Sequence, residues 1–372
     1  MAQMLMEPLA DQPAATGPRA APEFGPNWFA AVMGTGIVAV AGAQLPAHVA
    51  GLRVFATAVW GLASLLLTGL AAAWAGHWIR HPAQARGYAA NPVMAQFWGA
   101  PAMALLVVGA GALLLGPGVL GSAAVGLDWV LWITGAGLGL ITACWIPYLM
   151  MTRHDIGADA AFGGWLMPVA APMTAAATGA LLVPHAAPGQ PRLTLLVACY
   201  AMFGISLLAT LIIVPQIWSR LVQHKVGPAA LAPALWIVLG PFGQSVTAVS
   251  RLGTDAAQVL PAPYGTGAAV AALLYGIPVW GFAMMWLVLA AAITLRTART
   301  AGGRLPFALT WWSFTFPVGT CVTGTIALAG RTHDTALQDV ALGLYVLLVL
   351  AWLVVAVRTV LFVFAAPGAA RS

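Results

Sequence analysis

Proline and glycine interrupt several apolar stretches of this 372-residue sequence beside small polar side chains, as in 241–245 (PFGQS) and 317–320 (PVGT). Proline breaks an apolar helix, and a helix that restarts there has unpaired N–H groups and the positive end of its dipole at the new N-terminus. Such termini bind anions, and glycine lets an anion approach the backbone. The pattern predicts anion contacts at Pro241, Gly243, Pro317 and Gly319, with Gln244, Ser245 and Thr320 adding side-chain dipoles.

Acidic and histidine side chains lie away from the middle of these stretches. The nine Asp and Glu and the seven His fall in tails, in loops or at the ends of apolar runs. A cation filter made of carboxylate rings and a proton relay through buried carboxylates therefore lack their residues. His77 and His81 have the spacing of metal ligands on a helix, but no third ligand follows. We expect no metal, no cofactor and no catalytic residue.

The composition defines the class of protein. Hydrophobic residues make up 61% of the chain and charged residues 6%, whereas a soluble domain has roughly 25% charged residues. Apolar runs without strict alternation predict helices rather than a β-barrel. We therefore predict an all-α integral membrane protein with ten spans, at about 27–44, 52–75, 93–115, 127–150, 163–184, 193–214, 230–251, 266–293, 305–329 and 336–363. Residues 1–25 and 365–372 are predicted tails, the first disordered, and 26–364 form the transmembrane domain.

The odd-numbered spans repeat one pattern, in which aromatic residues precede a Gly/Pro break. Their aromatic markers Trp28, Phe97, Trp165, Trp236 and Trp311 are separated by 69, 68, 71 and 75 residues. This period predicts five helical hairpins, with five broken helices inside around a central axis and five smoother helices outside. Glycine and proline are frequent in membrane helices in any case, and the fourth and eighth spans also contain a proline. The remaining predicted pathway residues follow the first, third and fifth markers: Gly34, Thr35, Gly36, Pro101 and Pro168.

Basic residues predict the orientation. The four loops on one side hold eight of the fifteen Lys and Arg, and the opposite side holds four. Because cytoplasmic loops carry the excess of Lys and Arg, both termini are expected in the cytoplasm and the protein in the plasma membrane. The basic residues are spread thinly, so no nucleic-acid partner is expected. Arg251, at the end of the seventh span, either reaches the mouth of a pore or extends to the membrane interface.

A pore also needs a closure. Phe316 and Phe314 lie beside the Pro317 break, where large rings can project into the axis and exclude water. The alternative is packing against lipid or other helices. Phe316 is the first candidate for a gate and Phe314 the second.

Three segments carry a family resemblance: 25–36 (GPNWFAAVMGTG), 240–245 (GPFGQS) and 311–317 (WWSFTFP). They resemble the tellurite-resistance/dicarboxylate transporter family, which includes a plant slow anion channel, a fungal malate carrier and a fungal sulfite efflux pump. The resemblance implies a quasi-five-fold pore in each subunit of a homotrimer and a phenylalanine plug in the ninth helix. By the match of the Phe-Pro step, that plug is Phe316. The resemblance limits the substrate to small anions: malate-like organic acids, sulfite, chloride or nitrate.

Three hypotheses of function follow. The first is an anion channel or uniporter, favoured by the lack of titratable groups in the middle of the spans. The second is a proton-coupled dicarboxylate or sulfite carrier, and the third is a membrane scaffold with a sealed bundle. The five breaks argue against the scaffold.

Overall fold

Ten long helices account for most of the computed structural model, which describes residues 24–46 and 49–364. Each helix, taken together with any 3₁₀ segment that adjoins it, is long and apolar enough to span a membrane, and we label the helices in chain order. They are α1 (Phe29–Gln44), α2 (Leu52–Arg80), α3 (Gly99–Leu115), α4 (Ala123–Thr152), α5 (Leu166–Leu182), α6 (Gln190–His224), α7 (Leu239–Val259), α8 (Tyr264–Thr300), α9 (Phe316–Thr332) and α10 (Thr335–Phe364). The all-α fold with ten spans is confirmed. The predicted tail 365–372, and all of 1–25 except its last two residues, lie outside the described residues.

The outer helices extend further than predicted. The sixth span was expected to end at 214, but α6 passes through Pro215 to His224. The eighth was expected to end at 293, but α8 reaches Thr300. A proline removes one backbone hydrogen bond and can bend a helix without ending it. Hydropathy marks only the apolar part of a helix, so polar turns beyond the bilayer were assigned to loops.

Burial separates the two sets of helices. In the odd-numbered spans, 72–94% of the most apolar window is buried inside the protein, against 22–33% in the even-numbered spans. Helices that are apolar on all sides must bury their surface in protein or expose it to lipid. The odd helices form the interior, and the even helices present their apolar side chains outward.

Contacts between the inner helices close a ring. Helix α1 contacts α3, α3 contacts α5, α5 contacts α7, α7 contacts α9, and α9 returns to α1. Each outer helix contacts the two inner helices that flank it, as α2 contacts α1 and α3. The ring therefore surrounds one central axis.

Each inner helix is preceded by a 3₁₀ segment that contains at least one aromatic residue. The prolines follow at once: Pro317 is the second residue of α9, and Pro101, Pro168 and Pro241 are each the third of their helix. Within the first turn a missing N–H removes no helical hydrogen bond, so these prolines mark entries rather than breaks in a long helix. The break predicted at 33–36 is absent, since α1 is continuous there. The 3₁₀ segments are Pro26–Trp28, Met94–Trp98, Gly163–Trp165, Ala229–Val238 and Leu309–Phe314.

Candidate functional site

Two cavities lie inside the ring, and all five inner spans contribute to each. We call the first the aromatic cavity, because Phe97, Trp312 and Phe316 line it. Its other walls are almost wholly apolar. The full lining is Ala30, Met33, Phe97, Met103, Met167, Ala170, Ile237, Gly240, Pro241, Leu309, Trp312, Ser313, Phe316 and Pro317.

The second is more polar, and we call it the arginine cavity after Arg251. It has a volume of about 30 Å³, which is enough to hold at least one water molecule. Its lining combines two glutamines, three threonines and Arg251 with aliphatic side chains. These residues are Ile37, Val40, Gln44, Val107, Ala110, Ala177, Thr178, Leu181, Gln244, Thr247, Arg251 and Thr323.

The cavities follow one another along the same helices. On α1, Met33 lines the aromatic cavity and Ile37 the arginine cavity, and Met103 and Val107 repeat this step on α3. A four-residue step is about 6 Å along a helix. The layer between the cavities is tightly packed and includes a buried hydrogen bond from Thr174 Oγ1 to Gln244 Oε1 of 2.8 Å. The ring thus encloses two small spaces that a short packed layer separates.

The two phenylalanine candidates lie in different places. Phe316 is 3% exposed and lines the aromatic cavity. Phe314 does not; its ring packs edge-on against Trp236, with centroids 5.2 Å apart, and against Trp311 at 5.8 Å. It faces a surface cleft beside α10. Of the two rings, only Phe316 borders the space on the axis.

Of the twelve predicted pathway residues, Pro241 and Pro317 line the aromatic cavity and Gln244 lines the arginine cavity. The glycines lie at helix contacts instead. A Cβ added at Gly34 would meet Trp312 and Thr315, and one added at Gly36 would meet Val107. A Cβ at Gly243 would meet Thr320 and Cys321, and one at Gly319 would meet Ile37. The space beside each glycine, which the sequence suggested for an anion, is therefore filled by the next inner helix.

The other predicted residues bond or pack away from the cavities. Thr35 Oγ1 accepts a 3.1 Å hydrogen bond from Trp352 Nε1 on α10, and Ser245 Oγ accepts one of 2.8 Å from the Tyr275 hydroxyl on α8. Thr320 Oγ1 donates to the Pro317 carbonyl at 2.6 Å. Pro168 packs against Gly99 of α3. Pro101 lines neither cavity.

Several cavity residues were not found by sequence reasoning. Gln44, Thr178 and Thr247 belong to no predicted proline–glycine break, and the sequence leaves Arg251 open between the pore and the membrane interface. Gln244, Thr247 and Arg251 are spaced i, i+3 and i+7, which places them on one face of a helix. This spacing is the feature of the sequence that could have indicated a shared polar face on α7.

Two carboxylates lie deeper than expected. Asp128 is fully buried in the second turn of α4, near Gly109, and neither carboxylate oxygen has a hydrogen-bond partner among the described residues. Asp255 lies inside α7, which extends beyond its predicted end, and is 8% exposed. Neither lines a cavity. Among the described residues, no Asp, Glu or His borders either space.

Residues 23–360 match the SLAC1 family, described as voltage-dependent anion channels. The sulfite efflux pump SSU1 of Arthroderma otae is 28% identical over 350 residues, which cover 91% of this chain and 90% of the relative. SSU1 of Trichophyton rubrum is 28% identical over 328 residues, covering 85% of this chain and 84% of the relative. An uncharacterized transporter of Methanocaldococcus jannaschii is 26% identical over 338 residues, covering 91% and 94%.

The family match spans nearly all of the described residues, including the ring and both cavities. The resemblance seen in the sequence motifs is thereby confirmed, and the relatives are transport proteins. The chain belongs to the SLAC1 voltage-dependent anion channel family, and this membership supports transport of anions across a membrane as its activity.

Proposed function

We propose that small anions cross the membrane along the axis of the ring, through the aromatic and arginine cavities, and that Phe316 closes the path in the resting state. One observation carries the proposal: all five inner spans line both cavities, and the polar one contains an arginine and no carboxylate. A cationic lining attracts anions and opposes cations. The neighbouring Met33, Met103 and Met167 complete a dry, apolar constriction around Phe316.

The size of the arginine cavity favours small inorganic oxyanions, with sulfite and its protonated form first. A cavity of about 30 Å³ needs only a small expansion for a four-atom oxyanion and a much larger one for a malate-like dicarboxylate. The fungal relatives are sulfite efflux pumps, which agrees with placing sulfite first.

The test is flux into liposomes that contain the purified protein, across a panel of sulfite, nitrate, chloride and malate. We expect sulfite and nitrate to exceed malate. No flux of any anion, in the wild type or in a variant with the plug removed, would favour the scaffold hypothesis.

We predict that nitrate flux is driven by the nitrate concentration gradient and the membrane potential, and not by a proton gradient. No described Asp, Glu or His borders either cavity, and nitrate, the anion of a strong acid, carries no proton of its own. Nitrate uptake should be unchanged by a pH gradient imposed at fixed average pH. A pH gradient that concentrates nitrate at zero potential would instead establish the coupled carrier. Sulfite can show apparent coupling, because its protonated and unprotonated forms interconvert outside the protein.

The assembly and orientation complete the proposal. We propose a homotrimer in the plasma membrane with one pathway per subunit and both termini in the cytoplasm, so that Arg251 lies toward the outside. The outer helices present large exposed apolar side chains, among them Leu65, Leu208 and Leu274, which lipid or neighbouring subunits would cover. We expect a trimeric mass in native mass spectrometry. A membrane-impermeant thiol reagent on intact cells should label a cysteine placed at Arg53 and spare one placed at Arg299.

A further inference from the structure

We propose that Arg251 and Gln44 form a binding site for small inorganic oxyanions, in which the Gln44 side-chain oxygen occupies the place of the anion when none is bound. The inference rests on the proposed function, since it assigns a ligand class to one end of the same pathway. It depends on the contacts of Arg251, its neighbours and the shape of its donors.

Arg251 is half-buried and has donors to spare. It donates from Nη2 to Gln44 Oε1, the one hydrogen bond it makes to the described residues. A guanidinium has five N–H donors arranged as a planar fork, so most of those of Arg251 are without a protein acceptor. No acidic side chain in the described ranges lies within the 4.0 Å of a salt bridge to it. Asp255 lies one turn further along α7. It is a nearby opposite charge but makes neither a hydrogen bond nor a salt bridge to Arg251.

The other half-buried arginines at the same end of the bundle, Arg331 and Arg192, differ from Arg251 in that their donors have several protein acceptors. Arg331 donates to the Ser250 and Ala269 carbonyls and to Thr254 Oγ1. Arg192 donates to the carbonyls of Pro184 and Ala186. Both tie helix ends and loops together and line neither cavity. Arg251 alone among these three presents unfilled donors to the axis.

The threonines of the cavity cannot replace Arg251 as donors. The Thr178 hydroxyl donates to the Thr174 carbonyl at 2.9 Å, that of Thr247 to Gly243 at 3.1 Å, and that of Thr323 to Thr320 at 3.1 Å. Each hydroxyl has one hydrogen to donate. A carbonyl of its own helix takes that hydrogen or, between Thr247 and Thr323, the other hydroxyl at 2.9 Å does. Among the described residues of the lining, the amide Nε2 of Gln244 remains as a neutral donor, and the only charged donor is the Arg251 guanidinium. The charge that holds an anion in this space would therefore come from Arg251.

Gln44 supports the assignment from the opposite side. Its Nε2 donates to the Val40 carbonyl at 3.0 Å, which orients its Oε1 toward Arg251. A neutral carbonyl oxygen is a weaker partner for a guanidinium than a charged oxygen. An incoming oxyanion can displace it, and the displaced amide releases the link between α1 and α7, which widens the cavity.

The fork of the guanidinium selects the ligand class. Two parallel N–H groups match two oxygens of one anion, as in nitrate or sulfite, whereas chloride offers a single centre. The small volume excludes long dicarboxylates unless the ring expands. The expected ligand is a small oxyanion bound by two oxygens.

The experiment titrates nitrate, sulfite and chloride into purified protein in detergent at constant ionic strength and follows the unfolding temperature, which ligand binding raises. For Arg251→Gln we expect nitrate and sulfite affinity to fall roughly tenfold, because charged hydrogen bonds are lost. Arg251→Lys should keep some affinity but lose the preference for nitrate over chloride. Gln44→Ala should bind nitrate more tightly, since the competing oxygen is gone.

The matched control is Arg53→Gln, which removes a charge from an exposed arginine at the same end that lines neither cavity. It should leave nitrate affinity unchanged. The same variants are then compared for the nitrate concentration that gives half-maximal flux. The site is overturned if Arg251→Gln binds nitrate as tightly as the wild type, or if Arg53→Gln loses as much nitrate affinity as Arg251→Gln. Either result can occur while anion flux persists, and the proposed function then stands. Because the binding titration needs no flux, it also decides the site if transport fails.

Discussion

Anion flux through the Phe316→Ala variant is expected to exceed wild-type flux on the order of tenfold, which corresponds to lowering the barrier by about 1.4 kcal/mol. The ring of Phe316 is almost fully buried and borders the aromatic cavity one to two turns before the arginine cavity begins. Its removal leaves space where water and an anion can pass, because a hydrophobic constriction closes by excluding water. Nitrate currents in oocytes or planar bilayers measure the effect.

Phe314→Ala is the matched control, since it deletes the same ring two residues earlier. Phe314 packs on Trp236 and Trp311 outside the cavity, so its loss should leave conductance near the wild-type level. If Phe314→Ala raises conductance and Phe316→Ala does not, Phe314 is the plug and Phe316 is not. If both variants are silent at equal surface expression, neither ring is the plug.

Gly243→Val is expected to give the largest loss of folded protein. A Cβ at this position would lie 2.6 Å from the backbone nitrogen of Cys321 and 2.6 Å from the carbonyl carbon of Thr320. These are main-chain atoms of the adjacent inner helix, so the two helices must separate. Overpacking of this kind costs about 1–3 kcal/mol or more, which lowers the unfolding temperature of a chain of this size by a few degrees or more. Thermal unfolding in detergent and the monodisperse yield report the loss.

Gly281→Val tests whether valine itself is tolerated in this fold. Gly281 lies on the exposed face of α8, and a Cβ there meets no atom within 4 Å. Its unfolding temperature should stay close to that of the wild type. A Gly243→Val protein as stable as Gly281→Val would contradict the close approach of α7 and α9, and with it the packed layer between the cavities.

Periodicity predicted the larger features of the fold because hydropathy and spacing are local properties. The ten apolar runs gave the ten helices, and the recurrence of aromatic and Gly/Pro positions near 70 residues separated the odd helices from the even ones. Proline at 241 and 317 marked the entries of α7 and α9, since proline restricts the backbone wherever it occurs. Each of these features depends on the local sequence and not on which residues lie nearby in the folded protein.

The amino-acid sequence by itself determined that this is a membrane protein, how many spans it has, which set of spans is buried and, through its motifs, its family. Only the tertiary structure decided which side chains border the axis. Gly243 and Gly319 were predicted to admit an anion, yet a neighbouring helix fills the space beside each. Arg251 remained undecided until its contact with Gln44, 207 residues away in the chain, placed it in the cavity. The direction of a side chain around a helix that is apolar on all sides depends on which helices surround it, and that information is not local to the sequence.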